Sequence, residues 1–224
     1  MEKRIIEALL QCPLFAGLSA TEIEIALSGT GYKLVDYRKN DVYALAGMPC
    51  RYADIVVSGS LVCRMSSLSG KQVEVSRLRP GNMVAPAFIF AKDTSLPVSV
   101  ETDTAVTLFR MSPAALKSLF DTDEQLRMNF IRTLSNIDVF LTRKMKVLSL
   151  FSIREKVASL LMDHVKEEGS HTIHLYRSRQ EIADSFGIQK YSLLRVLADL
   201  EAAGAIKLNG REITVLDPGK LLMA

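Results

Sequence analysis

The stretch Ser178-Arg-Gln-Glu-Ile-Ala-Asp-Ser-Phe-Gly-Ile-Gln-Lys-Tyr-Ser-Leu-Leu-Arg-Val-Leu-Ala-Asp-Leu-Glu201 decides how the chain is read. Ser178 followed three residues later by Glu181 is a capping box, which marks the start of a helix. Ile182, Ala183 and Phe186 give that helix an apolar face. Gly187 then falls where the chain must turn sharply, because glycine takes a positive φ without steric cost. A second helix follows, with Leu193, Val196, Leu197 and Leu200 on its inner face. Gln189, Lys190, Tyr191, Ser192 and Arg195 are left pointing outward, with almost no carboxylate among them. Two short helices joined by a glycine turn, the second with a polar and basic outer face, form a helix-turn-helix shaped for a major groove.

The flanking sequence supports this. A hairpin between Ala205-Ile-Lys-Leu208 and Glu212-Ile-Thr-Val215 turns on Asn209-Gly210, a strong hairpin signal, and stands where a wing would. Upstream, Thr172-Ile-His-Leu175 reads as a short strand. Before it lies a helix with Val157, Leu160, Leu161 and Val165 on one face, ending at Gly169. Leu148-Ser-Leu-Phe-Ser152 reads as a hinge. Leu126, Phe130, Leu134, Ile137, Leu141, Met145 and Leu148 recur at steps of three or four, as in a long helix packed on one face or paired with a twin. Ser112-Pro113 opens the helical part as N-cap and first helical residue.

From Tyr32 to about Met111 the period is that of strands. Predicted strands cover 33–37, 53–57, 60–65, 72–78 and 105–109, punctuated by Asn40-Asp41, Gly47, Ser58-Gly59, Ser69-Gly70 and Pro80-Gly81. That spacing implies a small antiparallel barrel or sandwich. Ser19-Ala-Thr-Glu22 is another capping box, after the apolar turn Pro13 to Leu18. The fold class is therefore α+β: residues 1–122 form a β-roll sensor domain with flanking helices, 123–148 a dimerisation helix, and 149–224 a winged helix-turn-helix.

The 224 residues are 48% hydrophobic and 24% charged, ordinary globular material with a net charge of +3. No apolar run approaches the ~20 residues needed to span a bilayer, and the N-terminus lacks a signal peptide's apolar core, so the expected location is the cytoplasm, with no membrane partner. Cys12, Cys50 and Cys63 are odd in number and have no CxxC spacing, against a disulfide framework or a cysteine-only metal site. His164, His171 and His174 all lie in the last third. Without a histidine between Tyr32 and Met111, and without a Ser/His/Asp or Cys/His arrangement, the chain does not read as an enzyme.

Along nearly its whole length the chain resembles the CRP/FNR superfamily of bacterial regulators. The resemblance is carried in order by Pro13-Leu-Phe-Ala-Gly-Leu18, Tyr52-Ala-Asp-Ile-Val-Val-Ser-Gly-Ser-Leu-Val62, Leu78-Arg-Pro-Gly-Asn82, the long helix and Ser178 to Glu201. It implies a signal-sensing β-roll, a dimerisation helix and a winged helix that reads a near-palindromic site on double-stranded DNA, with RNA polymerase as a further partner. Arg195 is the candidate for a bidentate pair with guanine. Lys190 is placed to reach a phosphate or a guanine, and Arg179 and Gln180 to hold the backbone. Tyr191 stands where many relatives have a glutamate that reads cytosine, so their half-site does not transfer.

The sensor departs from two branches. Cyclic-nucleotide members hold phosphate with Gly-Glu-Leu and a later Arg-Ser; the matching positions here are Ala85-Pro86-Ala87 and Leu96-Pro97. A buried phosphate without a cation is very costly, which argues against cyclic AMP. Oxygen-sensing members need a cysteine cluster, and Cys12 stands alone. The apolar segments Met83 to Phe90 and Leu96 to Val100 resemble a third branch, regulators of nitrosative stress and of the hybrid cluster protein, some of which use haem. The expected effector pocket lies between roll and long helix, near Met65, Met83, Pro86, Leu141 and Met145. Haem, with methionine or Cys63 as ligand and nitric oxide acting through its iron, is the candidate effector. A redox switch at Cys50 or Cys63 is a second idea. The competing functional class is a nucleotide- or ligand-binding regulatory module that acts on a partner protein.

Overall fold

The structure, a computed structural model, describes residues 1–66 and 72–221; the predicted turn at Ser69-Gly70 lies outside the described residues. The chain forms two compact units, Met1–Asp138 and Val139–Ala224. Among the described residues no helix is long and apolar enough to cross a membrane.

In the first unit, α1 (Lys3–Leu10) buries Ile5, Ile6, Ala8 and Leu9, and Pro13–Phe15 makes a 3-10 turn that buries Leu14 and Phe15. Ser19 and Glu22 close the predicted capping box on α2 (Ala20–Leu27). Seven strands follow: β1 (Tyr32–Tyr37), β2 (Val42–Ala44), β3 (Ala53–Ser58), β4 (Leu61–Ser66), β5 (Gln72–Leu78), β6 (Ser99–Thr102) and β7 (Val106–Met111). They pair antiparallel in two sheets, ordered β1-β7-β3 and β2-β6-β4-β5. The antiparallel roll agrees with the sequence reading, which did not include β2 and β6. Those strands have three and four residues, too few to display an alternation.

Strand periodicity distributes the core. Val56, Val106 and Leu108 join Leu61, Val84 and Val100 in one cluster. Their neighbours Ile55, Phe109 and Met111 face the other way and pack with Leu9, Leu14 and Phe15. Completing that second cluster are Leu116 and Leu119 of α3 (Pro113–Thr122) and Leu126 and Phe130 of α4 (Glu124–Leu150). Ser112 caps α3 with Pro113 as its first residue, as predicted. Gly59 holds φ 81° between β3 and β4, and a Cβ there would collide with the Ala105 carbonyl oxygen.

A buried ion pair ties the first sheet together. Asp54 of β3 and Arg110 of β7 are register partners. The guanidinium donates to both carboxylate oxygens, Nη2 to Oδ2 at 2.6 Å and Nε to Oδ1 at 2.8 Å. The Tyr43 hydroxyl donates to the same Oδ2 at 2.9 Å, and the Tyr52 ring lies 4.3 Å from the guanidinium carbon. Burial opposes the arginine's charge, but its bonds to Asp54 outweigh that and raise its pKa. Burial, and then the Asp54 charge, push the Tyr43 phenol upward.

The predicted single stripe of α4 divides. Leu126 and Phe130 are buried and Leu134 packs on the core of the first unit, whereas Leu141, Met145 and Leu148 are exposed. Phe130, 5% exposed, is a core residue of the roll, so it is not the place to probe a dimer. The helix breaks within the predicted 148–152 segment, and Ser152 with Glu155 caps α5 (Ile153–Glu168). Gly169 ends α5 in the left-handed conformation.

The second unit continues with β8 (Thr172–His174), α6 (Arg179–Ser185), α7 (Lys190–Ala202), β9 (Ile206–Asn209) and β10 (Glu212–Val215), the strands ordered β8-β10-β9. Asn209 pairs with Glu212, so the hairpin's two loop residues are Gly210 and Arg211, one position beyond the predicted Asn209-Gly210. Gly210 takes the positive φ, 58°, at the first central position, as a II′ turn requires; Asn209 stays in the strand.

Removing Arg110 strands the Asp54 carboxylate, which has no exposure to water. Arg110→Ala is expected to lower unfolding stability by about 3–5 kcal/mol, while a paired Asp54→Leu/Arg110→Met change recovers much of that. Urea denaturation measures both; a loss under ~1 kcal/mol for the single change would show that the pair is not a structural tie.

Candidate nucleic-acid interface

The second unit holds α7 from behind. Leu193, Leu197 and Leu200 are buried in a cluster with Val157 and Leu161 of α5, Ile182 and Ala183 of α6, and Ile206, Ile213 and Val215 of the hairpin. Val196, predicted to be buried, is half-buried against the same cluster. Ser178 and Glu181 close their capping box, with Ser178 N–H donating to Glu181 Oε2 at 2.6 Å. Those bonds to Ser178, backbone first, hold the Glu181 carboxyl below its ordinary value. Phe186 ends α6, and Gly187 makes the turn at φ 65°.

With one face of α7 buried, the predicted reading residues face outward. Gln189, Lys190, Tyr191 and Arg195 are exposed and Ser192 is half-buried. Arg179 and Gln180 belong to α6 and are differently engaged. Gln180 Nε2 donates to Asp184 Oδ1 at 3.0 Å. Arg179 Nη2 donates to the Gly210 carbonyl at 3.1 Å, joining α6 to the hairpin turn. Burial lowers its pKa.

Around this contact is a shallow cavity of about 180 Å³ lined by Arg177, Ser178, Arg179, Gly210 and Arg211. Arg177 and Arg211 are exposed and were not among the predicted contacts. Their signal was faint: Arg177 immediately precedes a cap and Arg211 follows the hairpin glycine. Only folding brings residues so far apart in sequence to one spot. Leu194 is a second omission, an exposed apolar residue on α7 between Tyr191 and Arg195.

Comparison with known proteins places both units. Residues 155–223 match the Crp-like helix-turn-helix domain, and residues 34–123 match the cyclic nucleotide-binding domain. The chain thus carries a cyclic nucleotide-binding domain followed by a Crp-like helix-turn-helix domain. Together these two domains support a DNA-binding transcription regulator with an effector-binding domain. No curated protein matches it in sequence. Among solved structures it is similar to the c-di-GMP-responsive global regulator CLP of Xanthomonas campestris, with 22% identity, TM-score 0.65, and 88% of this chain and 99% of that one covered. It is also similar to a CooA mutant from Carboxydothermus hydrogenoformans (15% identity, TM-score 0.66, coverage 92% and 90%). FixK2 from Bradyrhizobium japonicum is a third (19%, 0.62, 85% and 96%). At such identities the likeness is one of fold.

In the first unit, the apolar segment Ala85-Pro86-Ala87 lies at the surface, with Ala85 and Pro86 half-buried and Ala87 exposed. Ala85 takes a left-handed conformation, φ 46°, ahead of a 3-10 turn over Pro86–Phe88. Met83, Ile89 and Leu96 are core residues beside Cys50 and Ile55. The five residues expected at the effector pocket differ in setting. Met83 is 7% exposed and pairs through Ile55 with the first sheet. Pro86 is half-buried. Met65 is 48% exposed on β4 of the other sheet, and Leu141 and Met145 are exposed on α4.

Cys12, Cys50 and Cys63 are free and buried. Burial pushes the Cys12 thiol up to about 12 and raises Cys50 and Cys63 as well. A raised thiol pKa leaves little thiolate at neutral pH, and the thiolate is the reactive form. The native protein at pH 7.5 is therefore expected to react with iodoacetamide far more slowly than the urea-unfolded chain, and faster as pH rises. Fast labelling of Cys50 or Cys63 in the native state, followed by peptide mass spectrometry, would restore the redox reading.

Proposed function

We propose that this regulator acts as a homodimer, reads a near-palindromic DNA site with α7, and answers to a small apolar effector other than cyclic AMP. The observation that carries the DNA reading is the two-faced character of α7. One side is locked into the domain core, and the other offers Lys190, Tyr191 and Arg195 to a groove. Arg195 takes the guanine contact. Lys190, Gln189 and Ser192 surround it, Arg179 with Arg177 and Arg211 faces phosphate, and Gln180 supports the backbone contact once released from Asp184. Arg195→Ala should cost about 1–3 kcal/mol on the best site and relax preference at one base pair. Arg211→Ala should weaken all sites alike and flatten the salt dependence. Fluorescence anisotropy on duplexes selected from a random pool reads both, and unchanged base preference in the Arg195 variant would refute its role. A flat titration at low salt for the unaltered protein would favour the module that acts on a partner protein.

The dimer reading rests on α4. Ile131, Leu134, Asp138, Leu141, Met145 and Leu148 recur at alternating steps of three and four, the spacing of a two-helix seam. Ile131, Leu141, Met145 and Leu148 are exposed in the single chain. Two-fold pairing sets the half-site centres about one helical turn, ~34 Å, apart. Leu141→Asp is expected to give a monomer by light scattering at micromolar concentration and to lose DNA binding, and a dimer in that variant would overturn the seam. RNA polymerase is the expected downstream partner.

For the sensor, the apolar Ala85-Pro86-Ala87 segment, which has no cation to meet a phosphate, supports an uncharged ligand in preference to a phosphate. The sulfur ligands expected for haem in the first unit stand in three different settings: Met83 is enclosed by the protein's own core, Cys63 is buried in the other cluster, and Met65 lies exposed on the other sheet. Added haem is accordingly expected to show no Soret shift on mixing. A shift abolished by Met65→Leu, Met83→Leu or Met145→Leu would overturn that exclusion and restore the nitrosative-stress branch as the nearest kin.

A further inference from the structure

Leu194 stands outside the packed core of its own unit. It is 42% exposed, at the flank of the helix face on which Leu193, Leu197 and Leu200 are buried, and it is not a member of that core. Tyr191, 74% exposed, precedes it by three residues and Ala198 follows it by four, so the three side chains are neighbours on one face. Arg195 is the next residue along. A scattered surface leucine is unremarkable in general. This one lies inside the face that the flanking cations Lys190 and Arg195 mark for a polyanion, where an apolar side chain would meet base edges and not phosphate.

The major groove presents one apolar group, the C5-methyl of thymine. We propose, resting on the reading of α7 as the recognition helix, that Leu194 is a specificity residue that packs against a thymine methyl beside the guanine held by Arg195, with Tyr191 as the other wall. Leu194 and Arg195 differ by a ~1.5 Å rise along the helix, and successive bases by about 3.4 Å, so this thymine falls within roughly two steps of the guanine. The half-site thus contains a thymine and a guanine in fixed proximity, read by adjacent residues through unlike chemistry.

The experiment starts from duplexes that the unaltered protein selects from a random pool. The guanine is located as the position whose preference Arg195→Ala relaxes. Each nearby thymine is then replaced by deoxyuridine, which keeps the hydrogen-bonding groups and lacks only the methyl. At one such position the unaltered protein is expected to bind about fourfold more weakly, the worth of one buried methyl. Leu194→Ala is expected to bind thymine and uracil duplexes alike, with an unchanged salt slope and unchanged circular dichroism. Equal binding of thymine and uracil by the unaltered protein at every nearby position overturns the proposal. It also fails if Leu194→Ala keeps the discrimination, or changes only the oligomeric state, since the face would then cover protein. If Arg195→Ala relaxes a guanine but no thymine is selected near it, the recognition-helix reading survives and the Leu194 contact alone is lost. If no sequence is enriched, both fall.

Discussion

The complete burial of one face of α7 is the constraint on which the DNA-binding unit depends. Leu193, Leu197 and Leu200 are inserted among residues from α5, α6 and the hairpin, and together they fix the rotation of the helix about its own axis. A turn of 100° would carry Arg195 into the core and Leu197 into water, and both moves are costly. The reading face is therefore what remains once the core has taken the residues it needs. Its chemistry is free to vary, because no packing partner constrains the exposed Tyr191 and Leu194.

The same logic separates what was legible in the sequence from what was not. Capping boxes at Ser19, Ser152 and Ser178, the Ser112-Pro113 helix start and the glycine at 187 are local devices. Each is satisfied within a few residues, and each appears in the structure. The Ser152 box is as local as the others, with Glu155 three residues on. β2 and β6 escaped because short strands are defined by their partners. The hairpin slipped by one residue because Asn-Gly and Gly-X turns both match the sequence Asn209-Gly210-Arg211, and strand pairing chose between them. Arg177 and Arg211 could not be recognised as neighbours until the hairpin was folded onto α6. Gln180, expected to hold the DNA backbone, bonds Asp184 instead in the free chain, a contact set by helix geometry that composition does not show.

The long helix α4 shows how one periodic pattern can serve successive tasks. Its early apolar residues, Leu126 and Phe130, complete the core of the roll together with α3. Farther on, Val147 contributes to the core of the DNA-binding unit, while Leu141, Met145 and Leu148 remain uncovered. In sequence these look like one stripe, because a spacing of three and four does not say which partner each residue meets. Burial separates them. An acidic substitution at Phe130 would damage the roll itself, whereas the same substitution at Leu141 touches a surface that the single chain leaves open.

The bond between Arg179 and the Gly210 carbonyl has a consequence for the moment of encounter. A free surface arginine samples many rotamers and loses up to ~2 kcal/mol of side-chain entropy when a ligand immobilises it. Arg179 is already held before any DNA arrives, and its anchor is a neutral carbonyl, so its charge is not cancelled. Part of the ordering has been completed during folding. Such a cation does less to pull a distant polyanion in and more to reject one that arrives at the wrong angle, because it cannot swing to follow. If α6 meets a duplex backbone as proposed, the hairpin that holds Arg179 would act as a gauge for its pose, favouring rapid escape from misaligned encounters over indiscriminate retention.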